Sequence, residues 1–324
     1  MSNISDRLAC RQQFEKEFDL ARGVGTRFTF SPADAFPVWS PDGSHIAFAS
    51  TRGGQIQIYQ KLSNGGSEDA LLFKAENGVL PLSWSGDGRF LLIGRSTAAD
   101  ALTWVLPLDG NFHVAGKPVI FVKKGVGIEE RFSPGPHGRP LWVAYQSNDS
   151  GRFEVYVRAF DPSSATGVPP GSGVSQVSTA GGVSPRWSGN GKELFYMALD
   201  GRSGTVMSVD VSGNTAFQSG TPKVLFKPQG WISDRDDAAY WDVSSDGQKF
   251  LFAAQPAASA VAPAETFTVV LNWTARQNRI VWKPLFEVDK SHAAPSMPKA
   301  VSDFIAFTSG LDPRACPKSN RAVQ

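Results

Sequence analysis

Apolar and polar residues alternate over short runs along most of this chain, and the runs are broken at regular intervals by Gly, Pro, Asn and Asp. Period-two alternation bounded by turn residues predicts strands rather than helices. Searching the runs for self-similarity returns one signature several times: WSPDGSHIAFAS from Trp39, WSGDGRFLLIGR from Trp84, WSGNGKELFYMA from Trp187 and VSSDGQKFLFAA from Val243. A fifth copy, FSPGPHGRPLWVAYQS from Phe132, carries an insertion in its turn and regains register at Leu141.

Each copy reads as a hairpin. An apolar or aromatic residue ends one strand, a tight turn follows, and an alternating apolar strand returns. Pro41 presets its own dihedral, Asp42 can bond nearby backbone, and Gly43 tolerates a positive φ. Gly88, Gly191 and Gly247 hold the same turn position. The residues that open the signature, Trp39, Trp84, Phe132 and Trp187, recur at one place in each unit, so they are expected to fill one hole repeated between neighbouring units.

The signature starts at 39, 84, 132, 187 and 243, intervals of 45, 48, 55 and 56 residues. That is the range of four-stranded propeller blades, with loop insertions such as 161–175 in the longer repeats. Further strands follow most hairpins: IQIYQKL and ALLFKA after the first, LTWVLPL and PVIFV after the second, EVYVRAF after the third, VMSVDV and KVLFK after the fourth, TFTVVLNW after the fifth. The predicted fold is therefore all-β, a β-propeller of four-stranded antiparallel blades with five readable copies, six-bladed closure remaining open. Residues 25–275 form the expected propeller, 1–24 a degenerate segment or blade remnant, and 276–324 an irregular tail in which DFIAFTSG only faintly echoes the signature. GTRFTF, residues 25–30, is the candidate outer strand to complete the fifth blade and close the ring.

The WSPDG turn followed by an IAFAS-type strand resembles the WD40-like repeats of the TolB type, over about residues 18–275. The resemblance implies a propeller and an extracytoplasmic location. The segments DLARGVGTRFTF, GRFEVYVRAF and TVVLNWTA are similar to the propeller regions at the C-termini of bacterial transmembrane Ser/Thr protein kinases, which implies the sensory part of a larger protein.

Composition narrows the function. Lys and Arg total 32 against 30 Asp and Glu, a net charge of +2, and no block of like charge offers a footprint for nucleic acid. Cys10 and Cys316 stand at opposite ends, too few for a disulfide framework, a single bridge joining the ends remaining open. The first 20 residues lack the apolar run of a signal peptide, and no stretch is long and apolar enough to insert in a membrane, so the residues themselves leave the compartment open.

No catalytic motif is complete in the sequence. GVGTRF has two glycines of a phosphate-covering loop but no HRD or DFG follows, SGNGKE lacks the flanking residues of a phosphate loop, and Ser184 in GGVSPRW is not in a nucleophile elbow. His45, His113, His137 and His292 are dispersed, and Asp234, Asp236 and Asp237 lack the spacing of a calcium loop. No cofactor or metal is expected. The polar residues beside the opening aromatics, Glu130, Arg131, Arg186 and Asp242, are the candidate ligand-binding groups of the central channel, with blade-to-blade ion pairing as the plainer role. The expected function is a non-catalytic binding module for a protein or small ligand. A metal-assisted hydrolase or lactonase using Glu130 and Asp242, and a truncated non-functional remnant, stand as alternatives.

Overall fold

A computed structural model of the chain describes residues 16–19, 24–31, 33–96, 101–122, 129–164, 167–168, 172–201, 203–213, 216–228, 241–254 and 304–308. Its first two strands, β1 (Lys16–Asp19) and β2 (Val24–Arg27), form an antiparallel hairpin. Five successive sheets follow. Blade 1 holds β3 (Asp34–Trp39), β4 (His45–Ser50), β5 (Gln57–Leu62) and β6 (Ala70–Phe73), hydrogen-bonded in chain order. Blade 2 repeats the order with β7 (Leu80–Trp84), β8 (Phe90–Ser96), β9 (Ala101–Pro107) and β10 (Val119–Val122). Blade 3 holds β11 (Arg131–Phe132), β12 (Trp142–Ser147), β13 (Glu154–Ala159) and β14 (Val174–Gln176). In blade 4, β15 (Val183–Trp187), β16 (Glu193–Asp200) and β17 (Ser203–Ser212) pair in order, and β17 then takes both β18 (Gln218–Ser219) and β19 (Lys223–Phe226) along its outer edge. Blade 5 starts with β20 (Trp241–Val243) and β21 (Phe250–Ala254). This is the nearly all-β architecture of four-stranded antiparallel blades that the repeat predicts.

The recurring turn has one chemistry. In blades 1, 2 and 4 a buried serine after the aromatic donates to the Asx side chain two residues on: Ser40 to Asp42 at 2.6 Å, Ser85 to Asp87 at 2.7 Å, Ser188 to Asn190 at 2.9 Å. The same hydroxyl accepts the N–H five residues on, from His45, Phe90 and Glu193, at 2.9 to 3.0 Å. Ser244 and Ser133 play the accepting role in blades 5 and 3. The turn closes through a glycine at positive φ, 72° at Gly43, 73° at Gly88, 68° at Gly191 and 69° at Gly247. Asp42 thus does more than bond its own backbone, since it also anchors a serine that the sequence reading passed over.

The innermost strand of a blade is an edge, paired on one side only, and there proline is tolerated because its missing N–H has no ladder partner to serve. Pro37, Pro81 and Pro185 sit at the register breaks of β3, β7 and β15. Phe36 and Ser184, each just before such a proline, hold positive φ of 54° and 52°.

Burial lies between the sheets. Trp84 of blade 2 packs with Ala47, Ile58 and Leu72 of blade 1, Phe132 of blade 3 with Leu82, Leu92 and Val105 of blade 2, and Trp187 of blade 4 with Trp142, Val155 and Val157 of blade 3. Phe195 and Met197 of blade 4 meet Trp241, Phe250 and Phe252 of blade 5. Trp39, in the same place on blade 1, has no preceding blade among the described residues and lies with Ile46, Phe48 and Phe28.

Phe28 comes from the segment expected to complete the fifth blade. Instead β2 pairs with β1, and Phe28 covers the first blade's apolar face, while the Lys61 ammonium donates to the Phe28 carbonyl at 3.1 Å. The outer strands of blade 5, against which that closure would form, lie outside the described residues. TFTVVLNW lies outside the described residues; the place beside β21 is taken by β22 (Phe304–Thr308), paired in parallel from within the segment expected to be irregular. Its FIAFT sequence is rich in strand-forming residues. Among the described residues no helix is long and apolar enough to cross a membrane. Cys10, Cys316, His292, Asp234, Asp236 and Asp237 lie outside the described residues.

Candidate functional site at the propeller axis

The innermost strands of blades 3, 4 and 5 each carry a charged residue immediately before the seam residue: Arg131 before Phe132, Arg186 before Trp187, Asp242 before Val243. Alternation sends it away from the seam that the following side chain fills. These three converge near the axis, joined by a fourth residue, Glu129. Arg131 and Arg186 each place Nη2 at 3.3 Å from Glu129 Oε2. Asp242 Oδ1 lies 3.7 Å from Arg186 Nε, and accepts the Val243 N–H at 2.9 Å.

The guanidinium groups are fixed by backbone. Arg131 Nη1 donates to the Leu82 carbonyl of blade 2 at 2.7 Å and to the Glu130 carbonyl at 2.9 Å. Arg186 Nη1 donates to the Pro185 carbonyl at 2.9 Å, its Nε to the Trp241 carbonyl of blade 5 at 3.2 Å, and its guanidinium lies 5.8 Å from the Trp241 ring centre. The cluster therefore ties the inner edges of four blades together. Burial, then the neighbouring Arg186, pulls the Arg131 guanidinium down to about 10, while burial raises the Asp242 carboxyl against the pull of Arg186. Arg186 and Glu129 are about nine-tenths buried; Arg131 and Asp242 keep 26% and 36% of their side chains open.

Glu130 is not with them. Its side chain turns into the seam between blades 2 and 3, where the Thr103 hydroxyl donates to Oε1 at 2.6 Å and Oε2 has no partner. Burial raises this carboxyl to about 7, with the Thr103 hydrogen bond opposing it. Glu129 is the carboxylate the sequence reading missed. The signal was available: Glu130 shares strand parity with Phe132, which fills the seam, and Glu129 shares parity with Arg131.

Elsewhere, a cavity of about 260 Å³ between the turns of blades 1 and 2 is lined by Asp42, Asp87, Asp109 and Phe112. Among the described residues no group of three His, Cys, Asp or Glu side chains is placed to hold a metal ion.

No protein-family model matches the chain, and no curated protein matches it. Solved structures do. A protein of Agrobacterium tumefaciens assigned to TolB superposes with a TM-score of 0.53 at 19% identity, covering 69% of this chain and 76% of that one. TolB from Acinetobacter baumannii gives a TM-score of 0.51 at 19% identity, again over 69% of this chain, and the match spans half of that protein's length. At such identity the likeness establishes the TolB-like propeller fold.

Proposed function

We propose that this chain is a non-catalytic recognition module that engages a protein or small ligand at the axial mouth of its propeller. The observation that carries the reading is the convergence of Arg131, Arg186, Glu129 and Asp242 on the inner edges of successive blades, with two of the four still open to solvent. Concave axial surfaces with a few placed polar groups are where propellers and other barrel-like folds take ligands. A finer reading, that the module is the sensory part of a larger kinase-like protein, is supported by the likeness of its segments to kinase-attached propellers.

The alternative of a metal-assisted hydrolase needs Glu130 and Asp242 to act together. Glu130 is bound to Thr103 inside a seam and Asp242 faces Arg186, an arrangement that favours recognition. The test places a photo-crosslinking residue at position 242, and at position 224 on the exposed outer strand as control. A single protein species captured from position 242 alone is the expected result. Turnover of esters, lactones or peptides by the purified chain, lost in Glu130→Gln or Asp242→Asn, would overturn the reading.

A further inference from the structure

We propose that Arg131 and Arg186 form a receptor for a carboxylate group, and that Glu129 occupies it in the free protein. The inference rests on reading the axial mouth as the recognition surface, and adds the chemistry of what is recognised there. Four backbone carbonyls hold the two side chains: Leu82 and Glu130 for Arg131, Pro185 and Trp241 for Arg186. Nη2 of each guanidinium, together with Arg186 Nη1, is directed at a single oxygen, Glu129 Oε2.

Donors already fixed in place lose little freedom when a ligand arrives, and the planar guanidinium matches carboxylate geometry. The present occupant fits loosely. Its contacts, 3.3 Å from each Nη2 and 3.4 Å from Arg186 Nη1, are longer than the roughly 2.7–2.9 Å of a charge-assisted N–H···O bond. Exchange also preserves the charge balance. Asp242, beside Arg186, offsets one guanidinium, and an incoming carboxylate replaces Glu129 in offsetting the other. A second unit of negative charge added without displacing Glu129 meets two carboxylates already present. The receptor therefore takes one carboxylate at a time, whether borne by a small acid or by an acidic side chain of a protein.

Calorimetric titration of the full chain tests this with succinate, its neutral isostere succinamide, 1,4-diaminobutane and a capped peptide containing one Asp. Succinate or the peptide is expected to bind while succinamide does not, the tighter of the two identifying the source. Glu129→Gln, which keeps the shape but removes the competing charge, is expected to tighten binding about tenfold, the scale of one ionic hydrogen bond. Arg131→Lys with Arg186→Lys, which keeps the charge but not the fork, is expected to weaken it at least tenfold in a chain that still unfolds cooperatively. Equal binding of succinate and succinamide, or binding of neither succinate nor the Asp peptide to Glu129→Gln, overturns the carboxylate receptor. Diaminobutane binding that the double lysine variant abolishes overturns the ligand class yet leaves the axial reading standing; crosslinking that is independent of position 242 removes both.

Discussion

Glu129 and Glu130 are adjacent in sequence and have opposite surroundings, one shared by two guanidinium groups at the axis, the other sealed between two sheets. Folded Glu130 keeps its proton up to about pH 7, whereas in the unfolded chain it ionises near 4.5. Between those values the folded state binds more protons, so stability falls as pH rises through this window. Burial sets the size of the effect, the Thr103 hydroxyl and Arg131 opposing it and the neighbouring Glu129 adding to it. Glu130→Gln is expected to raise stability at pH 8 by up to about 3 kcal/mol and by little at pH 5, read from unfolding midpoints at both. A pH-independent difference would contradict the assignment. At the turn, Gly88 combines φ of 73° with the Phe112 ring edge, which a Cβ would meet at 2.8 Å. Gly88→Val is expected to cost about 1–3 kcal/mol, and unchanged thermal stability would refute that. The sequence made this glycine legible through its repeated position; it did not reveal that its neighbour would be an aromatic ring from a loop.

That ring belongs to a recurring device at the scale of the blade. Phe112 meets Trp84 at 5.2 Å, Phe160 meets Phe132 at 5.0 Å and Phe217 meets Trp187 at 6.4 Å, all edge-on. Each phenylalanine follows its partner within the same blade, after 28, 28 and 30 residues. The strands were readable from alternation and the seam aromatics from repetition. These later phenylalanines were not, because Phe160 ends the EVYVRAF run out of phase with Val155 and Val157, Phe217 lies outside any run, and Phe112 sits in a turn at φ of 61°. Blade 1 has Ser67 at the corresponding distance and seats Trp39 against Phe28 instead. Edge-to-face pairs add about 0.5–1.5 kcal/mol beyond area burial. Trp187→Ala or Phe160→Ala is accordingly expected to lower stability by about 3–5 kcal/mol, measured by urea denaturation, and a loss under 1 kcal/mol would refute the packing role.

Across the whole molecule, four seams join five blades in chain order among the described residues, so each blade depends chiefly on its immediate neighbours. Amide exchange is expected to be slowest in β8, β12 and β16, which lie in blades covered on both faces, and faster in β21; uniform protection would argue against a nearest-neighbour stack. The fold class was legible because repetition multiplies a weak signal five times. Closure was not, since it turns on single segments such as 25–30, whose partner strand repetition does not specify. The paired phenylalanines also bear on how such a chain tolerates change. In the blades that carry it, signature intervals grow from 48 to 56 residues while the clasp spacing stays at 28 to 30, so most of the added length follows the clasp phenylalanine. A peptide graft placed there leaves the neighbouring wedge untouched, which makes the perimeter the natural place for new sequence and the hub the part that must hold still.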